Sequence, residues 1–287
     1  MSFRLESDPP GPEVLAIAEK ELRETPEIKE KAIKELRELL NNDDTIYFAD
    51  DDETLIAFLR PCKFYPESAY KLMKRVAEFK EKHKNLLENL LPEDEKEAFT
   101  IHDVVNVLPN RDHKGRRMLL VHCGAKWDPS KVSSDQIFRL FYLIHELALL
   151  EPVTQINGVV VIMDFDGLSL KQVSALSPAF SMKLLGFIQD AMPLRLKEVH
   201  MVKQPFIFNM VWAIFKPLIR EKLKKRIFFH GSKMKSFHEH IPPSVLPKNY
   251  DGELPAINYS GKDWWPAVES AKDHVRKWSS FGLVKKK

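Results

Sequence analysis

Glycine and cysteine are scarce in this chain, at 10 and 2 among 287 residues. So few glycines leave little material for phosphate-cradling loops, and no Walker loop, G-x-G-x-x-G turn or G-x-S-x-G elbow is present. Nucleotide and serine-hydrolase chemistry therefore lack a motif. Cys62 and Cys123 are too few for a disulfide framework, and two reduced, buried thiols in a cytosolic protein are expected. A net charge of only +3 argues against bulk binding to nucleic acid, so any electrostatic function must come from a local cluster. No uninterrupted apolar run approaches the roughly 18 residues of a membrane span. The opening MSFRLESDPPGPE lacks the cationic start and apolar core expected of a signal peptide.

What is there is an ordinary globular composition, 44% hydrophobic and 30% charged. The first third reads as helical. TPEIKEKAIKELRELLNN places Ile28, Ile33, Leu36 and Leu40 near one face. Thr25 is the expected N-cap, with Pro26 at the first helical position. The acidic run Asp50–Glu53 precedes TLIAFLR, which suits negative charge at a helix N-terminus, and Pro61 is expected to stop that helix. ESAYKLMKRVAEFKEKHKNLL is a further amphipathic helix, with Leu72, Val76, Phe79 and His83 near one stripe. The reading is a small N-terminal helical bundle over residues 1–95.

From about Thr100 the texture changes. Arg116–Cys123 reads as a strand, and Gly158–Phe165 has the nearly continuous apolar run of a strand buried on both faces. Val199–Val202 and Arg226–His230 are shorter candidates. Helical stretches at Ser133–Leu150, Ser174–Asp190 and Pro205–Lys225 lie among them. Strands alternating with helices imply βαβ units, hence an α/β domain over residues 96–287 with a mainly parallel sheet. Lys285–Lys287 read as a solvated tail.

Polar constellations are weak. Asp164 and Asp166 lie at the end of a buried strand, where a carboxylate pair can bind metal, but turn-forming and capping aspartates before Gly167 are the stronger reading. His238 and His240 lack further ligands at zinc spacing. No metal, cofactor or catalytic residue is expected. DQIFRLFYLIHELALLE and SPAFSMKLLGFIQDAMPL are apolar on more than one face. Such helices are buried all round, or face the core on one side and something else apolar on the other. His145 is then either a hydrogen-bonded core histidine or the one polar contact that orients a greasy ligand.

The stretch FIFNMVWAIFKPLIREKLKKRI (Phe206–Ile227) joins two textures. As a helix it carries Ile207, Val211, Ile214 and Leu218 on one face and Phe208, Trp212 and Phe215 on another. Trp212 suits an interface, since its rings can be buried while its N–H stays wet. Lys216, Arg220, Lys222, Lys224, Lys225 and Arg226 follow. Apolar insertion beside local positive charge is the logic of reversible membrane docking. A merely solvated charged face is the alternative.

Several stretches together carry a family resemblance: DDETLIAFLRPCKF, NGVVVIMDFDGL, DAMPLRLKEVHMVKQPFIFNMVWAIFKPLIREKLKKRIFFHG and LPKNYDGEL. From about Asp50 to Leu254 the chain resembles the CRAL-TRIO lipid-transfer family, closest to the branch with the α-tocopherol and retinaldehyde carriers. It departs at Pro61, where related sequences usually carry a small residue. The resemblance implies a helical domain before an α/β domain enclosing an apolar cavity, with the 206–215 helix as a mobile lid. It implies a non-enzymatic carrier of a tocopherol, retinoid, carotenoid or other isoprenoid. Matching pocket positions are Phe141, His145, Val161, Met163, Leu184, Phe187 and Ile188. Phe141 is expected to narrow the cavity, and His145 to supply a hydrogen bond. Matching positions for a phosphoinositide headgroup are Arg60, Arg195, Lys197, Lys222 and Arg226; matching insertion positions are Ile207, Val211 and Ile214, beside Trp212. The expected location is cytoplasmic, with transient visits to endosomal or other phosphoinositide-rich membranes. A lipid-sensing adaptor and a phospholipid exchanger are the alternatives on the same fold.

Overall fold

The structure is a computed structural model that describes residues 3–284, so the expected tail at Lys285–Lys287 lies outside the described residues. Four N-terminal helices come first: α1 (Pro12–Leu22), α2 (Pro26–Asn41), α3 (Asp52–Leu59) and α4 (Pro66–Lys82), with a short strand β1 (Ile46–Tyr47) before α3. Their starts follow local chemistry. Thr25 Oγ1 accepts from the Ile28 N–H at 3.2 Å, and Asp51 Oδ1 accepts from the Thr54 N–H at 3.0 Å. Pro61 follows α3 inside a 3-10 turn, Arg60–Cys62. The apolar stripe of α4 buries Leu72, Met73, Val76 and Ala77. Two short helices, α5 (Lys84–Leu87) and α6 (Lys96–Thr100), lead into the sheet.

The α/β part runs β2 (Val105–Val107), β3 (Arg117–His122), α7 (Ser134–Ala148), α8 (Pro152–Asn157), β4 (Val159–Asp164), α9 (Leu170–Ala175) and α10 (Pro178–Gly186). It continues through β5 (Leu196–Val202), α11 (Phe208–Phe215), α12 (Glu221–Lys224), β6 (Ile227–Gly231) and α13 (Met234–His238). At the end, α14 (Gly261–Ser270) and α15 (Lys272–Ser279) precede β7 (Gly282–Leu283), which pairs with β1. The five-stranded sheet has the order β2-β3-β4-β5-β6; β2 is antiparallel and the rest are parallel. β2 has no counterpart among the sequence-based expectations.

Alternation along the strands separates two faces. Register aligns Leu119, Val161, Val199 and Ile227 in one row, and Val121, Met163 and Met201 in the next. These rows belong to the large apolar cluster, which extends from Ala18 in α1 to Phe281 and so joins the N-terminal helices to the sheet. The opposite face, with Met118, Leu120, Val160 and Ile162, packs on Phe237, Ile241, Leu246 and Tyr250. Apolar neighbours on both sides account for the unbroken apolar run of β4. Gly158 opens that strand at φ 85°, where a Cβ would lie 2.4 Å from the Arg195 carbonyl oxygen.

Two helical expectations are corrected. Ser174–Asp190 is not one helix: Ser177 is extended before Pro178, which restricts it, and a π turn at Phe187–Ala191 follows α10. Pro205–Lys225 also divides. After α11 comes a 3-10 turn, Lys216–Leu218, and Ile219 is extended before α12. Pro217 causes the break, because it lacks an N–H and its ring crowds the carbonyl one turn back. Among the described residues no helix is long and apolar enough to cross a membrane.

Candidate functional site

The two sheet rows form the floor of an apolar cavity with two chambers. The front chamber, about 100 Å³, lies over Val121, Val161, Met163 and Met201. Phe141 from α7 and Phe180 and Leu184 from α10 wall it, with Ile188; Phe208, Val211, Trp212 and Phe215 of α11 roof it. Trp127 and Cys123 complete one side. The rear chamber, about 80 Å³, is bounded by Leu5, Phe99, Leu119, Ile144, His145, Trp264 and Val268, with Arg117 and Glu151 at its edge. Phe141, Val161 and Leu196 line both chambers. Phe141 thus belongs to the wall of each, between α7 and the sheet.

α7 is fixed at its start by a reciprocal cap. Ser133 Oγ accepts from the Gln136 N–H at 3.2 Å, and Gln136 Oε1 accepts from the Ser133 N–H at 3.1 Å. One turn beyond Phe141 lies His145, only 5% exposed. Its Nδ1 lies 3.1 Å from the Tyr142 carbonyl oxygen, and its Nε2 has no partner among the described residues. Burial pushes its pKa down to about 3, so the ring is neutral near pH 7. Phe187 meets it edge-on at 5.0 Å. Phe187 is fully buried against Phe138 and Tyr142 and lines neither chamber; it backs the wall.

α11 turns its Phe208, Val211, Trp212 and Phe215 side inward. Phe208 packs on Phe165 at 4.7 Å, and Trp212 on Phe229 at 4.8 Å. Of the four expected insertion residues, Val211 and Trp212 line the cavity, while Ile207 and Ile214 are half-buried at its margin. The large apolar side chains that face outward here are Phe206, in the turn before α11 and 90% exposed, and Met210 on α11, 51% exposed. Periodicity had no means of finding Met210, because this short helix is apolar on nearly every side and the cavity sets which side turns in.

A cationic groove lies across the cavity wall. Arg75, Arg195, Lys197, Arg220, Lys222 and Arg226 line it, with Asp190 and Cys62. Arg195 and Lys197 share Glu21 Oε2, at 2.6 and 3.2 Å. Burial opposes the Glu21 charge, but bonds from these two cations outweigh it and lower its pKa. Arg220 grips both oxygens of Asp190, at 2.5 and 2.8 Å. Arg226 donates to the Leu196 carbonyl; burial, then the Arg195 charge, lowers its pKa below the ordinary guanidinium value. Lys222 is exposed and has no carboxylate partner among the described residues. Ile188, Leu196 and Leu223 line both groove and front chamber, so one layer of side chains separates them.

Arg60 is not brought to this groove. It is buried, makes two bonds to Glu24 at 2.9 and 3.0 Å, and donates to Gln155 Oε1 at 2.8 Å. Its bonds tie the α1–α2 connection and α8 to the turn after α3. Asp164 is also occupied. Its carboxylate accepts from the Tyr250 hydroxyl at 2.9 Å and the Asp166 N–H at 3.0 Å, with Lys203 at 3.5 Å. His238 Nε2 bonds the Tyr250 carbonyl at 2.9 Å, and His240 lies tilted against Phe228 with ring centroids 4.1 Å apart. Both cysteines are free.

Comparison with known proteins agrees with this architecture. Residues 101–252 match the CRAL/TRIO domain family. Clavesin-1 of Pongo abelii is 34% identical over 248 residues, covering 85% of this chain and 70% of the relative. The human alpha-tocopherol transfer protein-like protein is 32% identical over 273 residues, covering 93% and 78%. The crystal structure of Sfh5 superposes with a TM-score of 0.50 at 12% identity, covering 75% of this chain and 84% of that one, a likeness of fold alone.

Proposed function

The chain belongs to the CRAL/TRIO domain family, and from that premise we propose a non-enzymatic carrier. It encloses a hydrophobic small molecule of the tocopherol, retinoid or other isoprenoid class and exchanges it at phosphoinositide-containing membranes. The observation that carries this reading is the roofed apolar cavity one side-chain layer from the cationic groove. The match to an alpha-tocopherol transfer protein-like relative supports the ligand class.

The physical cycle is short. Apolar burial stabilises the guest by roughly 25 cal/mol per Å². Lifting α11 in water exposes Phe208, Val211 and Phe215, which is unfavourable. At a bilayer those side chains exchange one apolar medium for another, and the penalty largely disappears. Phe206 and Met210 already face outward to start insertion. Arg195, Lys197, Lys222 and Arg226 surround a space suited to a phosphorylated headgroup, and membrane contact would be transient for a cytoplasmic protein. A phospholipid cargo fits less well. Arg117, at the rear chamber's edge, is engaged by Glu151 at 2.6 and 3.0 Å and by the Pro109 carbonyl at 3.0 Å.

Transfer of a fluorescent tocopherol analogue between liposomes tests the reading. Lys222→Ala with Arg226→Ala is expected to slow phosphoinositide-stimulated transfer while leaving analogue binding nearly intact. Lys222→Glu alone gives the same direction from a solvent-exposed position. Unchanged stimulation in both variants rejects the headgroup site; failure of the unmodified protein to bind any of these lipid classes rejects the carrier.

A further inference from the structure

The two chambers differ in one respect that bears on which guest fits. Among the buried side-chain polar atoms without a hydrogen-bond partner in the described residues, only His145 Nε2 belongs to a residue lining either chamber. The charged groups at the rear are paired with one another: Arg117 is engaged as above, and Glu151 also accepts from the Thr154 hydroxyl at 2.6 Å and the Glu6 N–H at 3.0 Å. The direction of the remaining bond is set by the ring's other nitrogen. A carbonyl oxygen only accepts, so the Nδ1 beside Tyr142 carries the hydrogen. In a neutral imidazole Nε2 is then a lone pair, able to accept and unable to donate.

We propose that the rear chamber holds the polar end of the guest, and that His145 Nε2 selects a hydroxyl, phenol or alcohol, over the matching aldehyde or ether. The hydroxyl hydrogen is donated to Nε2. The apolar remainder passes Phe141 into the front chamber beneath α11. An aldehyde oxygen brought to the same place sets lone pair against lone pair and leaves two buried acceptors unsatisfied. An ether has no hydrogen to give. This inference rests on the carrier reading and adds to it a class of cargo and an orientation, polar end away from the lid.

The test uses the full chain and three probes with one skeleton: geranylgeraniol, geranylgeranial and geranylgeranyl methyl ether. Each competes against a fluorescent tocopherol analogue. The alcohol is expected to bind about tenfold tighter than the other two, equivalent to about 1.4 kcal/mol. His145→Leu should bring all three within about twofold by weakening the alcohol alone. His145→Gln, whose amide also donates, should admit the aldehyde. In unmodified protein with nitrogen-15 histidine, adding the alcohol should move the Nε2 resonance and leave Nδ1 in place. Equal affinities in the unmodified protein, or preference for the aldehyde, overturn the hydroxyl assignment and leave the carrier standing. Binding of none of the probes, with the analogue also unbound, overturns both.

Discussion

Inside the wall made by Ile188, Leu196 and Leu223, the neighbours are nearly all apolar; outside it stand Arg195, Lys197, Lys222 and Arg226. The inner side is organised by exclusion of water, and each residue there is held by close packing. The outer side is organised by repulsion held in check by two acids, Glu21 and Asp190. A substitution inside should therefore change whether the protein folds and what it holds. A substitution outside should change where it goes.

The severest way to break that contrast is Val161→Asp. Val161 is 4% exposed on the central strand and lines both chambers. An unpaired carboxylate there should cost more than about 4 kcal/mol, read by urea unfolding. Retained stability would mean the chambers are wet. Arg60→Ala comes next. It strands the buried Glu24 carboxylate, whose remaining cation, Lys29, is 3.9 Å away, and should lower stability by about 3 kcal/mol. Vesicle binding by the folded protein should not change; a selective loss of binding with intact stability would return Arg60 to the outer set. Phe206→Ser should weaken partition into phosphoinositide vesicles about tenfold, with unfolding free energy within about 0.5 kcal/mol of the parent.

Acid sharpens the contrast from within. Burial holds the His145 pKa near 3, against an ordinary value of 6.5. Between those values the unfolded chain takes up a proton that the folded chain refuses, so this group's contribution to stability is lost as pH falls. Unfolding measured from pH 7 to 5 should slope less steeply in His145→Leu; identical slopes would place the ring in contact with water. The smallest effect belongs outside: Lys222→Ala should leave stability within about 0.5 kcal/mol.

Much of the frame was legible because it is local. Thr25 and Asp51 cap helices where side-chain chemistry requires, and the apolar run at Val159–Asp164 is a strand buried on both faces. The breaks at Pro178 and Pro217 also had a local signal, and the proline rule reads both. What was not legible is tertiary. Arg60 is one basic residue among many until Glu24, 36 positions earlier, is seen beside it. The inward side of α11 is chosen by the cavity, so a nearly apolar cylinder cannot announce that Met210 faces out. Leu5 and Trp264 close the rear chamber from opposite ends of the chain, which no pattern along either end encodes. His145 had two readings, and neither nitrogen's surroundings could be read from the sequence: Nδ1 bonds the Tyr142 carbonyl, and Nε2 is without a partner among the described residues.

Lys222 and Leu223 are neighbours on α12, a single turn of four residues, yet one is exposed and the other is buried against the front chamber. On the proposed carrier reading, this one turn would carry both a headgroup contact and part of the cargo wall, so that a shift of either side chain would be felt by the other.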